Sequence, residues 1–507
     1  MELTPRATTS IWRRTAGLPH LSRLERNTQA DVCVVGAGIA GLSIAYELSR
    51  AGRSVIVLEA GEVGSGETGR TTAHLANALD ERYFEIAHRH GERGAQLAAS
   101  SHTQAIDEIE SIVKREKLDC EFERLNGYLF TQPGDYQEVL NRELEASHQA
   151  GLHEVELISR TPLAGFETGP CLRFPNQGQF HPLKYLSGLA GAVLKMGGSI
   201  YTNTRASKIQ GGAQARVETS EGFAVTAGSV VVATNTPVND WVTMHTKQAA
   251  YRSYVIGAHV PKGSVTRALY WDTLDPFHYV RVQADSEAHD VLLVGGEDHQ
   301  TGQAHDTEER FGRLADWALQ RFPMIKYVPY VWSGQVMEPV DGLAFIGRNP
   351  GDEPNVFIAT GDSGSGMTHG AIAGLLLTDL ILGKENPWAG LYDPARISLR
   401  SAGTYLAQTA NTIAQYADLI SPGEINSPED VRPGAGAILR RGLHKVAVYR
   451  DQEGGLHEFS AVCPHLGCIV SWNPSEKSWD CPCHGSRFDA LGAVVNGPAD
   501  SGLKWAQ

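Results

Sequence analysis

The sequence predicts a mixed α/β and α+β chain, in which a parallel-sheet domain is interleaved with an antiparallel-sheet domain and followed by a small all-β domain. Three observations predict this class: a strand, turn, helix and strand at 30–61, alternating strand patterns at 251–297, and four of the seven cysteines between 463 and 483. A chain of 507 residues also exceeds one ordinary core, so we expect two or three.

The charge balance narrows the classes of partner. The chain has 44 basic and 58 acidic residues and a net charge of −14, which argues against nucleic acid or an anionic membrane. No apolar run approaches the length that spans a bilayer, and the N-terminal stretch is too polar for a secretion signal. The sequence therefore favours a cytoplasmic protein, in which clustered cysteines indicate a metal site more than a disulfide framework.

The most regular pattern in the chain is "ADVCVVGAGIAGLSIAYELSRAGRSVIVLEAG" at 30–61. A buried strand leads into a glycine turn, an apolar helix follows, and a second buried strand ends at Glu59. Gly36 permits the tight turn, Gly38 lets the backbone approach a pyrophosphate, and Gly41 lets the helix pack closely on the strand. Glu59 would accept hydrogen bonds from ribose hydroxyls. The pattern predicts a Rossmann-like dinucleotide-binding domain but does not separate NAD from FAD.

A second strand, glycine-rich turn and apolar helix, "NVFIATGDSGSGMTHGAIAGLLLTDLILG" at 355–383, separates the two cofactors. It resembles the C-terminal flavin segment of the D-amino-acid oxidase, glycine oxidase and sarcosine oxidase superfamily. "GSGETGRTTAHL" (64–75) resembles the flavin-contacting loop of that family, and "SVVVATNTPVND" (229–240) its third buried strand. "PVDGLAFIGR" (339–348) resembles the strand before the final flavin turn. The resemblance covers roughly residues 28–395 and implies FAD as the cofactor.

The resemblance also implies one large domain, 1–395, in which cofactor and substrate segments alternate. FAD-binding segments are expected at about 28–80, 185–240 and 335–390, and substrate-domain segments at about 81–184 and 241–334. The residues implied to contact FAD are Gly36, Ala37, Gly38, Ile39, Ala40, Gly41, Glu59, Ala60, Gly66, Arg70, Thr71, Thr72, His74, Ala206, Thr234, Gly361, Gly364, Gly366, Met367 and Thr368.

The substrate domain has its own strand and helix patterns. "YRSYVIGAHV", "RALYWD", "FHYVRVQ" and "DVLLVGGE" within 251–297 alternate apolar and polar faces, which predicts antiparallel strands. "DTEERFGRLADWALQRFP" at 306–323 has the pattern of an amphipathic helix that covers them.

Near the C-terminus, Cys463-x-His465 and Cys481-x-x-His484 form two candidate metal loops. Two cysteines and two histidines could hold zinc, but a zinc finger usually groups the cysteines in one pair and the histidines in the other. A Rieske [2Fe–2S] centre instead takes two thiolates on one iron and two imidazoles on the other. The mixed loops therefore favour a Rieske cluster, with zinc as the alternative.

"CPHLGC" (463–468) and "CPCHGS" (481–486) resemble the Rieske proteins of cytochrome bc complexes. In that family the two additional cysteines, here Cys468 and Cys483, form a disulfide between the ligand loops. The chain as a whole resembles a bacterial family of amino-acid-oxidase-like flavoproteins that carry a C-terminal Rieske domain.

The Rieske resemblance implies further features of the module at 428–507, which follows a linker helix and loop at 396–427. The serine that donates a hydrogen bond to the cluster in the family matches Ser486. The matching tyrosine position holds Phe488, which has no donor. Fewer donors to the sulfur atoms imply a lower potential than in cytochrome bc proteins.

The combined resemblance implies a flavin-dependent oxidation of an amine or amino-acid-like substrate by hydride transfer to FAD. The electrons would then leave one at a time through the Rieske cluster to an unknown one-electron acceptor. An NAD(P)H-dependent reductase would need a second glycine fingerprint, and the sequence has one, at 36–41. A Rieske oxygenase would need an iron site after His484, where too few residues follow. A non-catalytic redox sensor stays open as a further alternative.

The substrate pocket is the least determined part of the sequence. Amino-acid oxidases hold the substrate carboxylate with an arginine at the position of Val336, so a simple α-amino acid is in doubt. Glu338 in the pocket would suit a cationic amine, or it could salt-bridge a neighbour or face solvent. His181 and His369 are candidate pocket residues, with structural roles equally open. His74 either attaches the flavin covalently or packs near its ring.

Overall fold

The computed structural model describes residues 8–131, 137–163, 165–239 and 244–506. Residue 240, which ends the segment 229–240, and residues 241–243 of the expected substrate segment lie outside the described residues. Helices and strands are numbered in chain order.

The helices are α1 Ile11–Thr15, α2 Ile39–Arg50, α3 Tyr83–Glu116, α4 Gln137–Gln149, α5 Pro182–Lys195, α6 Thr307–Arg321, α7 Gly366–Ile381, α8 Ala389–Tyr392 and α9 Ala402–Gln415. The strands of the first half are β1 Thr28–Val35, β2 Val55–Leu58, β3 His74–Leu75, β4 Glu123–Phe130, β5 Glu156–Ile158, β6 Cys171–Gln179, β7 Ser199–Tyr201, β8 Ala206–Gln210, β9 Ala215–Thr219 and β10 Ala224–Asn235. The later strands are β11 Gln248–Pro261, β12 Leu269–Asp272, β13 His278–Ala284, β14 His289–Gln300, β15 Tyr327–Pro339, β16 Phe345–Arg348, β17 Val356–Thr360, β18 Gly436–Arg441, β19 His444–Arg450, β20 Leu456–Ser460, β21 Ser471–Asn473, β22 Ser478–Asp480, β23 Arg487–Asp489 and β24 Val494–Asn496.

The first sheet has the order β16-β17-β10-β1-β2-β7, with β9 paired to β10 and β8 paired to β9. Strands β17, β10, β1, β2 and β7 run parallel, and β16 is an antiparallel edge. Residues 32–35 and 55–58 are buried throughout, because a parallel sheet is covered on both faces. Helices α2 and α7 are largely buried and share one core with this sheet. The Rossmann-like part of the predicted fold class is confirmed.

The second sheet has the order β15-β11-β14-β13-β12-β4-β6-β3. The four strands expected within 251–297 are β11 to β14, and helix α6 covers them as predicted. One pair departs from the antiparallel expectation, since β12 runs parallel to β4. Strand β4 comes from a much earlier part of the chain, so no hairpin fixes its direction.

The C-terminal part is a small all-β domain, as predicted, made of the sheets β18-β19-β20 and β21-β22-β23-β24. Helix α9 precedes it and lies inside the predicted linker at 396–427. No described helix is both long enough and apolar enough to cross a membrane.

Candidate redox sites

The first glycine turn connects β1 to α2. Gly36 has a φ of 109°, and a Cβ there would lie 2.5 Å from the carbonyl oxygen of Ala233. A Cβ on Gly41 would overlap the carbonyl oxygen of Gly36, so the helix crosses the turn at a distance that only glycine permits. The backbone N–H of Ile39, in the first turn of α2, donates to Thr68 Oγ1 at 3.0 Å.

Glu59 follows β2 and accepts two backbone hydrogen bonds. Its Oε2 accepts from the Ala37 N–H at 2.7 Å, and its Oε1 accepts from the Gly61 N–H at 2.8 Å. A carboxylate offers about four lone-pair positions, so Glu59 retains capacity for ribose hydroxyls. The glycine turn and Glu59 together fit an adenine dinucleotide.

The second glycine turn, 361–366, connects β17 to α7. A Cβ on Gly364 would overlap Asp80 Oδ2, which places this carboxylate directly against the turn. The Asp362 carboxylate accepts from the Met337 N–H at 3.1 Å, and burial raises the pKa of Asp362 to about 6. Close packing of α2 and α7 brings the two turns together, since a Cβ on Gly370 would lie 2.9 Å from the Ile39 side chain.

The loop 64–75 packs against the first glycine turn. The Gly64 N–H donates to the Ala37 carbonyl at 3.1 Å, and the Thr71 hydroxyl accepts from the Ala73 N–H at 3.0 Å. The Arg70 guanidinium donates to the Ser333 carbonyl on β15 and to Glu476 of the C-terminal domain, which docks on this loop. The expected contact of Arg70 with the cofactor stays a prediction.

His74 stands beside two aromatic rings. Its centroid lies 5.8 Å from Trp271 and 5.8 Å from Tyr279, and its Nδ1 is 3.0 Å from Thr72 Oγ1. Burial, with the charge of Arg281 second, lowers the pKa of His74 to about 3. The ring is therefore neutral at physiological pH.

The remaining expected FAD contacts are distributed over the same three segments and the adjoining strands. Gly38 is the N-cap of α2, Gly66 precedes a short 3₁₀ turn, and Ala206 begins β8. Thr234, near the end of β10, donates through its hydroxyl to the Thr236 carbonyl at 2.7 Å. The others are Ala40 and Gly366, Met367 and Thr368 at the starts of α2 and α7, Ala60 after β2, and Gly361 in the second turn.

Glu338 is held against the second turn. The Ser363 hydroxyl donates to its Oε2 at 2.8 Å, and no described cation pairs with it. Burial, followed by the charge of Glu81, raises the pKa of Glu338 well above its usual value. The structure therefore shows Glu338 neither in a described salt bridge nor fully solvated, and its place in a substrate pocket stays a prediction.

Two acidic residues that the sequence analysis did not single out lie in the same region. The Asp80 side chain is accessible to solvent, but the groups around it partly desolvate its carboxylate, which raises the pKa of Asp80 to about 6. Burial raises the pKa of Asp298 to about 7, and the charge of Asp80 adds to this effect. No local motif marks these residues, because their proximity arises from the packing of separate strands.

The two candidate pocket histidines have structural partners. His181 caps α5 by accepting from the Lys184 N–H at 3.2 Å, and its Nε2 is 2.8 Å from Thr15 Oγ1. His369 donates to the Asp362 carbonyl at 2.9 Å, and its ring lies 4.6 Å from that of His102. Burial lowers the pKa of each to about 4, so both rings are neutral.

The two C-terminal loops bring four metal-ligating side chains together. Cys463, His465, Cys481 and His484 are all buried, and the two imidazole centroids lie 5.1 Å apart. The Cys463 and Cys481 thiols are hydrogen-bonded to each other, which lowers the pKa of Cys463, and Ser486 contributes a further hydrogen bond. Two adjacent thiols and two adjacent imidazoles fit a cluster that has one sulfur-ligated and one nitrogen-ligated iron.

Cys468 and Cys483 form a disulfide, which confirms the expected bond between the ligand loops. Their Cα atoms are 6.4 Å apart, and both sulfurs lie within 4.8 Å of Cys481 Sγ. Phe488, at the position of the family's tyrosine, is fully buried.

The structure adds two residues to the cluster site that the sequence analysis missed. The Tyr416 hydroxyl, from the turn after α9, donates to the Leu466 carbonyl in the first ligand loop at 2.8 Å. The His245 ring comes from the flavoprotein half and lies 4.8 Å from His465 and 5.8 Å from His484. Neither residue belongs to a recognisable motif.

A buried ionic network holds the C-terminal domain against the rest of the chain. Glu476 Oε2 pairs with Arg70 at 3.0 Å, and Glu476 Oε1 lies 3.5 Å from Arg252. Arg487 lies 3.8 Å from Glu476 and 2.9 Å from Asp480. Because Arg70 belongs to the predicted flavin loop, this network joins the two candidate sites.

Comparison with protein families now identifies both halves. The family described as FAD dependent oxidoreductase matches residues 31–380, well over half of the chain. The chain belongs to this family. The Rieske [2Fe-2S] domain matches residues 422–506, in agreement with the donor set of the two loops and against the zinc alternative. The protein is thus an FAD-dependent oxidoreductase with a Rieske [2Fe–2S] cluster, and both cofactor predictions are confirmed.

Similar proteins cover both halves or the flavoprotein alone. The putative Rieske 2Fe-2S iron-sulfur protein YhfW of Bacillus subtilis is 33% identical over 503 residues, covering 98% of this chain and 97% of the relative. The gamma-glutamylputrescine oxidoreductase of Escherichia coli is 30% identical over 381 residues, covering 71% and 85%. The crystal structure of glycine oxidase from Geobacillus kaustophilus superposes with a TM-score of 0.61 at 19% identity, over 73% of this chain and 99% of that one.

Proposed function

We propose that the enzyme oxidises a cationic amine and that the electrons leave one at a time through the Rieske cluster. The observation that carries the proposal is the docking of the second ligand loop next to the flavin loop. Gln335 links the two, because its side-chain N–H donates to the Gly485 carbonyl at 3.0 Å while its backbone N–H donates to Glu67 at 2.6 Å. Asn496 of the Rieske domain also donates to Glu67, at 2.8 Å.

The flavin and the Rieske cluster supply complementary chemistry: a bound flavin takes a hydride, and a Rieske cluster takes a single electron. The chain's own residues supply orientation and exclusion of water. Gly485 is adjacent to His484, and Glu67 lies in the loop whose Thr68 contacts the first glycine turn. A short, buried connection of this kind suits transfer within one molecule.

The proposal of a cationic substrate rests on the side chains around the second glycine turn. An α-amino acid needs a cation for its carboxylate, and Val336 stands where the resemblance places that arginine. Glu338 and Asp80 instead present carboxylates at the turn, and they can hold an ammonium group in the orientation that hydride transfer needs. The relative from Escherichia coli is named for gamma-glutamylputrescine, a substituted amine, which agrees with this choice.

The partners follow from the same reasoning: a small amine, and a one-electron acceptor that takes electrons from the cluster.

We also propose that the protein works in the cytoplasm. This rests on the three buried cysteines outside the C-terminal domain, Cys33, Cys120 and Cys171, each a free thiol.

An anaerobic screen tests the proposal. Amines, N-methyl amines, α-amino acids, NADH and NADPH are mixed with the holoenzyme, and flavin absorbance is followed by stopped flow. We expect rapid bleaching by a cationic amine. Bleaching by NADH or NADPH, or faster bleaching by simple α-amino acids than by any amine, would overturn it.

A variant pair tests the role of Glu338. A bound ammonium group would favour the ionised form of Glu338. Glu338→Gln keeps the shape but cannot ionise, so KM for the cationic amine should rise at least about tenfold, a loss of about 1.4 kcal/mol. Glu309→Gln, an exposed position on α6, is the matched control and should leave KM unchanged. An unchanged KM in Glu338→Gln would contradict the assignment.

A further inference from the structure

Three histidine rings meet at the boundary between the flavoprotein half and the Rieske domain. His465 and His484 are cluster ligands, and the His245 ring packs against both, edge-on to His465 at an interplanar angle of 78°. His245 is only 3% exposed. It lies just before β11, so its place is fixed by the flavoprotein fold and not by the Rieske domain.

The two ligand loops differ in their exposure to solvent. Every residue of 481–488, the second loop, is buried. In the first loop Val462 is 38% exposed, and Pro464, Leu466 and Gly467 are partly exposed. The histidine ligands of the cluster therefore face inward, and the first loop provides the outward face.

We infer that His245 seals the histidine edge of the Rieske cluster against water and is thus a positioning residue for that edge. The inference rests on the proposed function, since it assigns the sealed edge to exchange with the flavoprotein half. An external acceptor then has access only through the outward face at Val462 to Gly467. Without this ring, water would reach the imidazoles of His465 and His484.

Sealing has an electrostatic consequence for the cluster. Reduction adds one negative charge, and a charge is less stable where water is excluded. The seal therefore lowers the midpoint potential of the cluster, in the same direction as the missing donor at Phe488. Removal of the seal should raise the potential.

The experiment uses the full-length holoenzyme and two substitutions at one position. His245→Ala opens the edge, whereas His245→Phe keeps a ring of similar bulk without nitrogen. His457→Ala is the control: this histidine lies on strand β20 of the Rieske domain and pairs with Asp451 at 2.8 Å. The readouts are the midpoint potential from a redox titration followed by EPR, and deuterium modulation of the reduced-cluster signal in D₂O.

We expect His245→Ala to shift the potential upward and to gain deuterium modulation, with His245→Phe and His457→Ala close to the unsubstituted protein. An unshifted potential and unchanged modulation in His245→Ala would overturn the inference. The inference would also be overturned if His245→Phe showed the same shift in potential and the same gain in modulation as His245→Ala, or if both variants lost the cluster. If only His245→Ala lost the cluster, an unaltered His245→Phe would support the seal. If the reduced, unsubstituted protein showed no Rieske EPR signal, the proposed function itself would be refuted.

Discussion

Glu476→Gln tests whether the Rieske domain is held in place by a buried charge. Glu476 lies in the turn between β21 and β22, and its side chain is 3% exposed. Its carboxylate accepts from Arg70 at 3.0 Å and from the Ser333 hydroxyl at 2.5 Å. An amide of the same shape can keep one hydrogen bond, but it leaves the surrounding guanidinium groups without their shared negative charge.

The magnitude follows from the pKa of Glu476. Burial alone would raise this pKa, but three neighbouring guanidinium groups outweigh burial and lower it from 4.5 to about 2. A difference of about 2.5 pKa units corresponds to roughly 3 kcal/mol at 1.36 kcal/mol per unit. Breaking a buried ion pair costs about 3–5 kcal/mol, which agrees. Because the folded-state pKa is lowered, this stabilisation is fully present above about pH 4.5 and is lost as the pH falls towards 2.

The assay is thermal unfolding of the holoenzyme at neutral pH, with visible circular dichroism of the cluster and flavin fluorescence as separate probes. Glu476→Gln should lower the midpoint of the cluster signal by several degrees. Glu458→Gln is the matched control, because Glu458 pairs with Arg441 at the surface of the same domain, where a salt bridge contributes at most about 1 kcal/mol. Equal midpoints for the two variants would refute the reasoning. Asp480 and other carboxylates with a lowered pKa destabilise both proteins in acid, so a midpoint of Glu476→Gln that falls below pH 4.5 by as much as in the unsubstituted protein would also refute it.

Two further substitutions have outcomes that the structure determines. Gly41→Ala should lose bound FAD, because its methyl group would overlap the Gly36 carbonyl. Gly191→Ala is the control and should retain FAD, because a Cβ there meets open space. The flavin-to-protein absorbance ratio measures the difference, and equal ratios for the two variants would contradict the turn geometry. Cys468→Ser should bind less iron but keep a Rieske EPR signal, because Cys468 is in the disulfide; Cys463→Ser should lose the signal entirely, and the same complete loss in both would refute the division into ligands and disulfide.

The features that the sequence could predict are those encoded by local spacing. The glycine turns and the Cys-x-His and Cys-x-x-His loops each lie within a few residues, so their chemistry is visible without the fold. The fold class followed from these patterns, and both cofactors and the disulfide followed from the family resemblance that the motifs carry. The parallel pairing of β12 with β4 did not, because strand direction there is set by a distant part of the chain.

The features that the sequence could not predict depend on docking. Arg70 and Glu476 are 406 residues apart, and nothing in the sequence around either residue predicts that the two pair. His245 and Tyr416 likewise gain their roles only when the Rieske domain folds back against the flavoprotein half. The hydrogen bond from Ser363 to Glu338 likewise joins a strand and a glycine turn that the sequence around Glu338 does not connect.

Electron transfer from flavin to cluster is tested most directly by an anaerobic single turnover with a cationic amine, in which flavin absorbance and the Rieske EPR signal are recorded on the same sample. We expect the flavin to bleach and the reduced-cluster signal then to appear without any added mediator, because the two sites are joined through Gln335 and Glu67. A fully bleached flavin beside a cluster that stays oxidised and EPR-silent would contradict it.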